Sequence, residues 1–123
     1  MFPTTLSQPQ REGVFDLLLL GMYADNNLRL SENERLYGLI HPYGWEGSRD
    51  PQEYAQLATA RVRAAIETED TTDLYLADIS LRLGDNDVKT LALALLARMI
   101  EADETSTESE ADFFQKAKTA FGV

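Results

Sequence analysis

Four carboxylates in two matching turns are the residues with the clearest chemical potential. Asp25 closes an apolar helix pattern, and Glu34 lies in the first turn of the next helix pattern. Asp103 and Glu110 repeat that arrangement near the other end of the chain. An Asp at a helix C-terminus meets the negative end of the macrodipole, so something must compensate it. A divalent cation would do so, because hard ions take carboxylate and carbonyl oxygens and the last carbonyls of a helix lack partners. Asp25, Glu34, Asp103 and Glu110 are therefore the candidate metal ligands, and a divalent cation is the candidate cofactor. Two other readings stay open. The Asp residues can bond the free amides of the next helix, with each Glu as a capping-box partner. The turns can also form an acidic docking surface for a basic protein.

Other chemistry finds little support. In an EF-hand count from Asp25, position six is Leu30 and position twelve is Leu36; from Asp103 the same positions are Glu108 and Phe114. The required glycine and bidentate acid are missing both times, which excludes an EF-hand. The absence of cysteine excludes disulfides and thiolate metal sites, and a single histidine, His41, excludes a site of several imidazoles. His41 precedes Pro42 in an aromatic loop and reads as structural. Arg61 and Arg63 read as solvated or paired with neighbouring acids. No Gly-rich phosphate loop occurs, and nothing places a carboxylate pair in an apolar cleft for acid–base hydrolysis. No catalytic residue is nominated, and the chain reads as non-enzymatic.

A length of 123 residues suits one domain with a real core, and 44% hydrophobic with 26% charged residues is ordinary for a globular chain. The formal net charge of −10 argues against nucleic acid and anionic membrane surfaces, and leaves cations or basic protein surfaces as partners. The apolar run Leu17 to Leu20 is too short for a membrane span or a signal peptide. The expected location is the cytoplasm, by absence of any address.

The elements that must position the turns are helical. Residues 1–6 read as a flexible N-terminal tail and residues 7–123 as the domain. Ser7-Gln8-Pro9-Gln10 is a helix start, followed by Val14, Leu17, Leu18 and Gly21, with Phe15, Leu19 and Met22 widening the stripe. Ser31-Glu32-Asn33-Glu34 is a capping box for a helix to about Ile40. The loop His41 to Gly47 follows, with Tyr43 and Trp45 folding back on the core. Asp50-Pro51-Gln52-Glu53 starts a helix carrying Ala55, Ala58, Val62, Ala65 and Ile66. Thr68 to Thr72 reads as a polar break. Leu76, Ile79 and Leu83 then fit a helix with Gly84 just past its end, although Leu81-Arg82-Leu83 alternates like a strand. Val88 to Ala102 is expected to be the central, most buried helix. A last helix from Thr107-Glu108-Ser109-Glu110 buries Phe113, Phe114, Ala117 and Phe121.

A displacement of 78 residues superposes Leu17, Leu18, Met22, Ala24 and Asp25 on Leu95, Leu96, Ile100, Ala102 and Asp103. A displacement of 76 superposes Ser31 to Glu34 on Thr107 to Glu110. The expected fold is all-α, a single-domain bundle of about six helices, with two related hairpins about a pseudo-twofold axis.

The segment Leu91 to Val123 resembles the tellurite-resistance TerB-like family. Ala102-Asp103, Thr107 and Glu110 occupy that family's Ala-Asp, hydroxyl and Glu positions, and Phe121-Gly122-Val123 resembles its close. Glu104 stands where the family carries glycine. Met22-Tyr23-Ala24-Asp25, through Ser31 and Glu34, resembles the first hairpin, with nine rather than seven residues from Asp to Glu. The resemblance implies a non-enzymatic domain of two helical hairpins in a tellurite or broader stress response. It also implies a divalent cation on the acidic turns and other stress-response proteins as partners. The alternative is an acidic protein–protein interaction module without metal, with Trp45 as an aromatic anchor.

Overall fold

A computed structural model describes residues 6–24, 51–101 and 108–123. It is an all-helical bundle, with five helices among the described residues: α1 (Gln8–Ala24), α2 (Pro51–Ala65), α3 (Glu69–Leu83), α4 (Asn86–Glu101) and α5 (Glu108–Phe121). The helix expected from Ser31 to Ile40 and the aromatic loop after it lie outside the described residues.

Local chemistry sets the helix ends. At the start of α1, the Gln10 amide donates to Ser7 Oγ at 3.3 Å and the Ser7 amide to Gln10 Oε1 at 2.9 Å, a reciprocal capping box. The Gln10 side chain also donates to the Leu83 carbonyl at 3.1 Å, tying this end of α1 to the end of α3. Gly84 follows α3 with φ +71°, a left-handed conformation that favours glycine, and its amide donates to the Ser80 carbonyl. Asp85 caps α4 by accepting from the Asp87 amide at 2.8 Å.

The polar stretch Thr68 to Thr72 is not the break the sequence suggests. Only residues 66–68 separate α2 from α3, and Thr68 is the N-cap of α3. The Thr71 amide donates to Thr68 Oγ1 at 3.1 Å, and the hydroxyls of Thr71 and Thr72 donate to the Ala65 carbonyl at 2.7 and 2.8 Å. Threonine hydroxyls thus satisfy orphan groups on both sides of the turn, doing what glutamate does in the commoner box.

The expected centre is also displaced. The core of α4 is as expected, with Val88, Leu91, Ala92, Leu95 and Met99 buried. The axis of the bundle, however, is α1, which packs against all four other helices. Every residue from Gly13 to Met22 is buried. Gly21 makes this possible: a Cβ there would meet Leu96 Cδ1 at 2.9 Å and Phe113 Cε1 at 3.3 Å. The missing side chain lets α1 lie against α4 and α5 together. Leu6, grouped by sequence with the tail, is buried in the same core.

Candidate functional site

Within the buried run from Gly13 to Met22 of α1, one residue is charged. Asp16 is 0% exposed, with Phe15 and Leu17 buried on either side. An ionised carboxylate out of water is costly unless paired and hydrogen-bonded. Here the pairing comes from two other helices. Tyr54 of α2 donates its hydroxyl to Asp16 Oδ1 at 2.9 Å, and Tyr75 of α3 donates to Oδ2 at 3.0 Å. Arg82 Nη1 of α3 lies 2.7 Å from Oδ2, and Arg61 Nη2 of α2 lies 3.7 Å from it.

These donors are themselves fixed. Arg61 donates to the Tyr54 hydroxyl at 2.9 Å and stands 5.5 Å from the centre of its ring. Phe15 meets the Tyr54 ring edge-on, with centroids 5.4 Å apart at 84°. Arg82 reaches outward from Asp16 to Asp78 at 3.1 Å, one turn earlier on α3. The result is a continuous network from the buried carboxylate to the surface.

Burial raises the Tyr54 and Tyr75 hydroxyls above the ordinary tyrosine value of 10.0, and the adjacent Asp16 charge raises them further. Burial works to lower the Arg82 guanidinium, but Asp16 outweighs it and the net direction is upward. Arg61 behaves in the same way. All four donors are thereby held protonated, so the cluster is built to hold one negative charge still. Nothing in this geometry leaves a donor poised to give up its proton near neutral pH.

Beside the cluster, a groove of about 430 Å³ lies between α2 and α3, lined by Arg61, Ala64, Ala65, Thr71, Leu74, Tyr75 and Asp78. Its walls are mostly apolar, and Arg61 and Tyr75 connect it to Asp16. Leu74 on its wall is 71% exposed, and Leu81, two turns further along α3, is 82% exposed.

Of the carboxylates nominated from sequence, Glu110 lies in the first turn of α5, which starts at Glu108. Asp25, Glu34 and Asp103 lie outside the described residues. Among the described residues no group of three or more His, Cys, Asp or Glu side chains could hold a metal ion. Arg61 is paired with an acid distant in sequence, and Arg63 stands over the Tyr23 ring at 5.7 Å. Sequence reasoning passed over Asp16, Tyr54 and Tyr75 entirely. The available signal was an acid set among six apolar residues, Val14-Phe15-Asp16-Leu17-Leu18-Leu19-Leu20, in a helix apolar nearly all round.

Two outcomes follow from the cluster. Asp16→Asn removes the charge that two guanidiniums and two hydroxyls surround, and is expected to cost about 3–5 kcal/mol of unfolding free energy in urea titration. A loss within about 0.5 kcal/mol would show that the surrounding donors do not depend on the Asp16 carboxylate. The raised tyrosines give a second effect. Their contribution is complete below pH 10.0 and is lost as pH rises beyond it, because the unfolded chain gives up those protons first. Thermal stability is expected to fall above that pH, and the Tyr54→Phe, Tyr75→Phe double variant to fall less steeply.

Compared with family models, curated proteins and solved structures, the chain matches none.

Proposed function

We propose that this chain is a non-enzymatic, acidic helical domain that acts by binding a protein partner. The observation that carries this is the outer face of α3. Leu74 and Leu81 stand outward at 71% and 82% exposure, while Asp73 and Asp78 on the same helix are also exposed. Isolated surface leucines need no explanation, but two at helical spacing beside an apolar groove fit a contact surface. The one fully buried carboxylate described is meanwhile saturated by its own chain, which supports a structural role for it.

Capture from extract of the source cell tests the reading. The native chain is expected to retain a basic protein that is released by salt of about 0.5 M, where screening is nearly complete. An Asp73→Asn, Asp78→Asn chain is expected to retain less of it. Equal retention by both chains would refute an acidic contact surface.

A second reading adds a metal. The two Ala-Asp turns suggest two hairpins about a pseudo-twofold axis, with a sixth helix completing the first, as in a TerB-like stress-response domain. In that arrangement Asp25, Glu34, Asp103 and Glu110 hold a divalent cation. The support is the shared order of the two turns, Ala-Asp followed by a capping-box pattern with Glu, together with the position of Glu110 in the first turn of α5. Thermal unfolding with Ca²⁺, Mg²⁺, Mn²⁺ or Zn²⁺ decides. An ion at a hundredfold excess over its dissociation constant is expected to add about 2.7 kcal/mol. The gain should vanish in an Asp25→Asn, Asp103→Asn variant. An unchanged gain there, or none with any ion, removes the metal.

A further inference from the structure

Beyond the groove between α2 and α3, both helices carry further exposed apolar residues. On α3, Leu74, Ala77 and Leu81 are exposed at positions i, i+3 and i+7, which share one face. On α2, Leu57, Ala60 and Ala64 repeat the same spacing and are also exposed. Arg61 and Ala64 line the groove from one side and Leu74 and Asp78 from the other. Of the exposed leucines, Leu74 lines the groove itself, and Leu57 and Leu81 are exposed on the two helices beyond it. A volume of about 430 Å³ is enough for large apolar anchors.

Charge decides what covers it. The exposed acids of α3 are Glu69, Asp70, Asp73 and Asp78; Lys116 of α5 pairs with Glu69 and Asp73 at 3.1 Å each, and Arg82 is shared between Asp16 and Asp78, so the four acids outnumber the two cations that meet them. Arg61 in the groove is likewise tied to Tyr54 and Asp16. A second copy of this chain would bring like charges together, on a molecule of net charge −10. A basic partner meets no such penalty. Two rows of apolar residues at helical spacing fit the helix-in-groove mode, in which anchors at i, i+3, i+4 and i+7 enter from an amphipathic helix.

We infer that the α2–α3 groove binds a basic amphipathic helix of a partner protein, with the partner's apolar stripe on Leu57, Leu74 and Leu81 and its cationic flank over Asp70 and Asp78. This rests on the partner-binding reading above and gives it a surface and a ligand class.

The probe is a fluorescein-labelled helical peptide of leucines at i, i+3, i+4 and i+7 with lysine elsewhere, titrated with the full chain by anisotropy. Saturable binding is expected, weakening from about 50 to about 500 mM salt. A peptide of the same composition with scrambled order, and one with glutamate for lysine, are expected to bind at least about tenfold more weakly. The deciding variant is Leu74→Asp, Leu81→Asp. Both side chains are exposed, so the melting temperature should hold. The added charge would strengthen purely electrostatic attraction to lysine. A loss of about tenfold or more in affinity therefore reports the groove. Unchanged or tighter binding to the variant overturns the groove while leaving an acidic partner surface elsewhere. Equal binding of the scrambled peptide overturns the amphipathic requirement. A concentration-dependent dimer in sedimentation, abolished by the same variant, replaces the partner with a second copy. No binding by any cationic peptide, with no dimer, overturns both the groove and the partner-binding reading.

Discussion

A single negative charge inside α1 constrains where two other helices can lie. A carboxylate set among leucines needs donors, and α1 supplies none of those found around Asp16. Tyr54 and Arg61 come from α2, and Tyr75 and Arg82 from α3. Hydrophobic burial is non-directional, so apolar packing alone would accept several rotations of α2 and α3 about their own axes. The carboxylate does not. Tyr54, Tyr75 and Arg82 must each arrive within hydrogen-bond reach of one of two oxygens, with Arg61 behind Tyr54, which sets both the rotation and the axial position of each helix. Buried ion pairs are weak contributors to net stability, and their better-attested use is specifying one arrangement over its neighbours. Here that role has a concrete content: it is the register of three helices.

The outward faces follow from the inward ones. With Tyr75 and Arg82 turned toward Asp16, and Leu76, Ile79 and Leu83 buried, the opposite side of α3 is left to Leu74, Ala77 and Leu81. On α2, the buried set of Tyr54, Ala58, Val62 and Ala65 leaves Leu57, Ala60 and Ala64 exposed. The small residues of α2 allow close approach to its neighbours, and they also leave a shallow channel where its surface meets α3. The connection of three residues between these helices, closed by threonine hydroxyls on the Ala65 carbonyl, holds the far end of that channel.

Helix existence was legible because local rules fix it. Ser7 with Gln10, Pro51 at the first position of α2, Gly84 with its positive φ and Asp85 before α4 all act within one turn, so spacing alone reveals them. The Thr68 box was missed because threonine replaced the expected glutamate, and a run of polar residues looks like a break. The choice of central helix failed for a different reason. Apolar periodicity ranks α4 highly, but burial on every side depends on a close approach that Gly21 permits and that no periodicity records. The Asp16 cluster was illegible for the deepest reason. Its members lie far apart in sequence, 38 residues in the Tyr54 bond, 59 in the Tyr75 bond and farther still for Arg82, and tyrosines carry no sign of what their hydroxyls will meet. Only the isolated acid itself was visible.

The network and the groove are one piece of structure seen from two sides. Arg61 and Tyr75 line the groove and, on their other side, hold Asp16. A surface whose wall residues are already committed to buried partners loses little conformational freedom when a ligand arrives. Side-chain ordering is among the larger costs of association, at about 0.5–1.5 kcal/mol for each long side chain immobilised. Arginine is normally one of the costliest residues to order at an interface. Here the cost of ordering Arg61 is met within the fold, by the tyrosine and the carboxylate it serves. A charge buried at the centre of the bundle therefore acts at its surface by keeping the groove in one shape before anything binds.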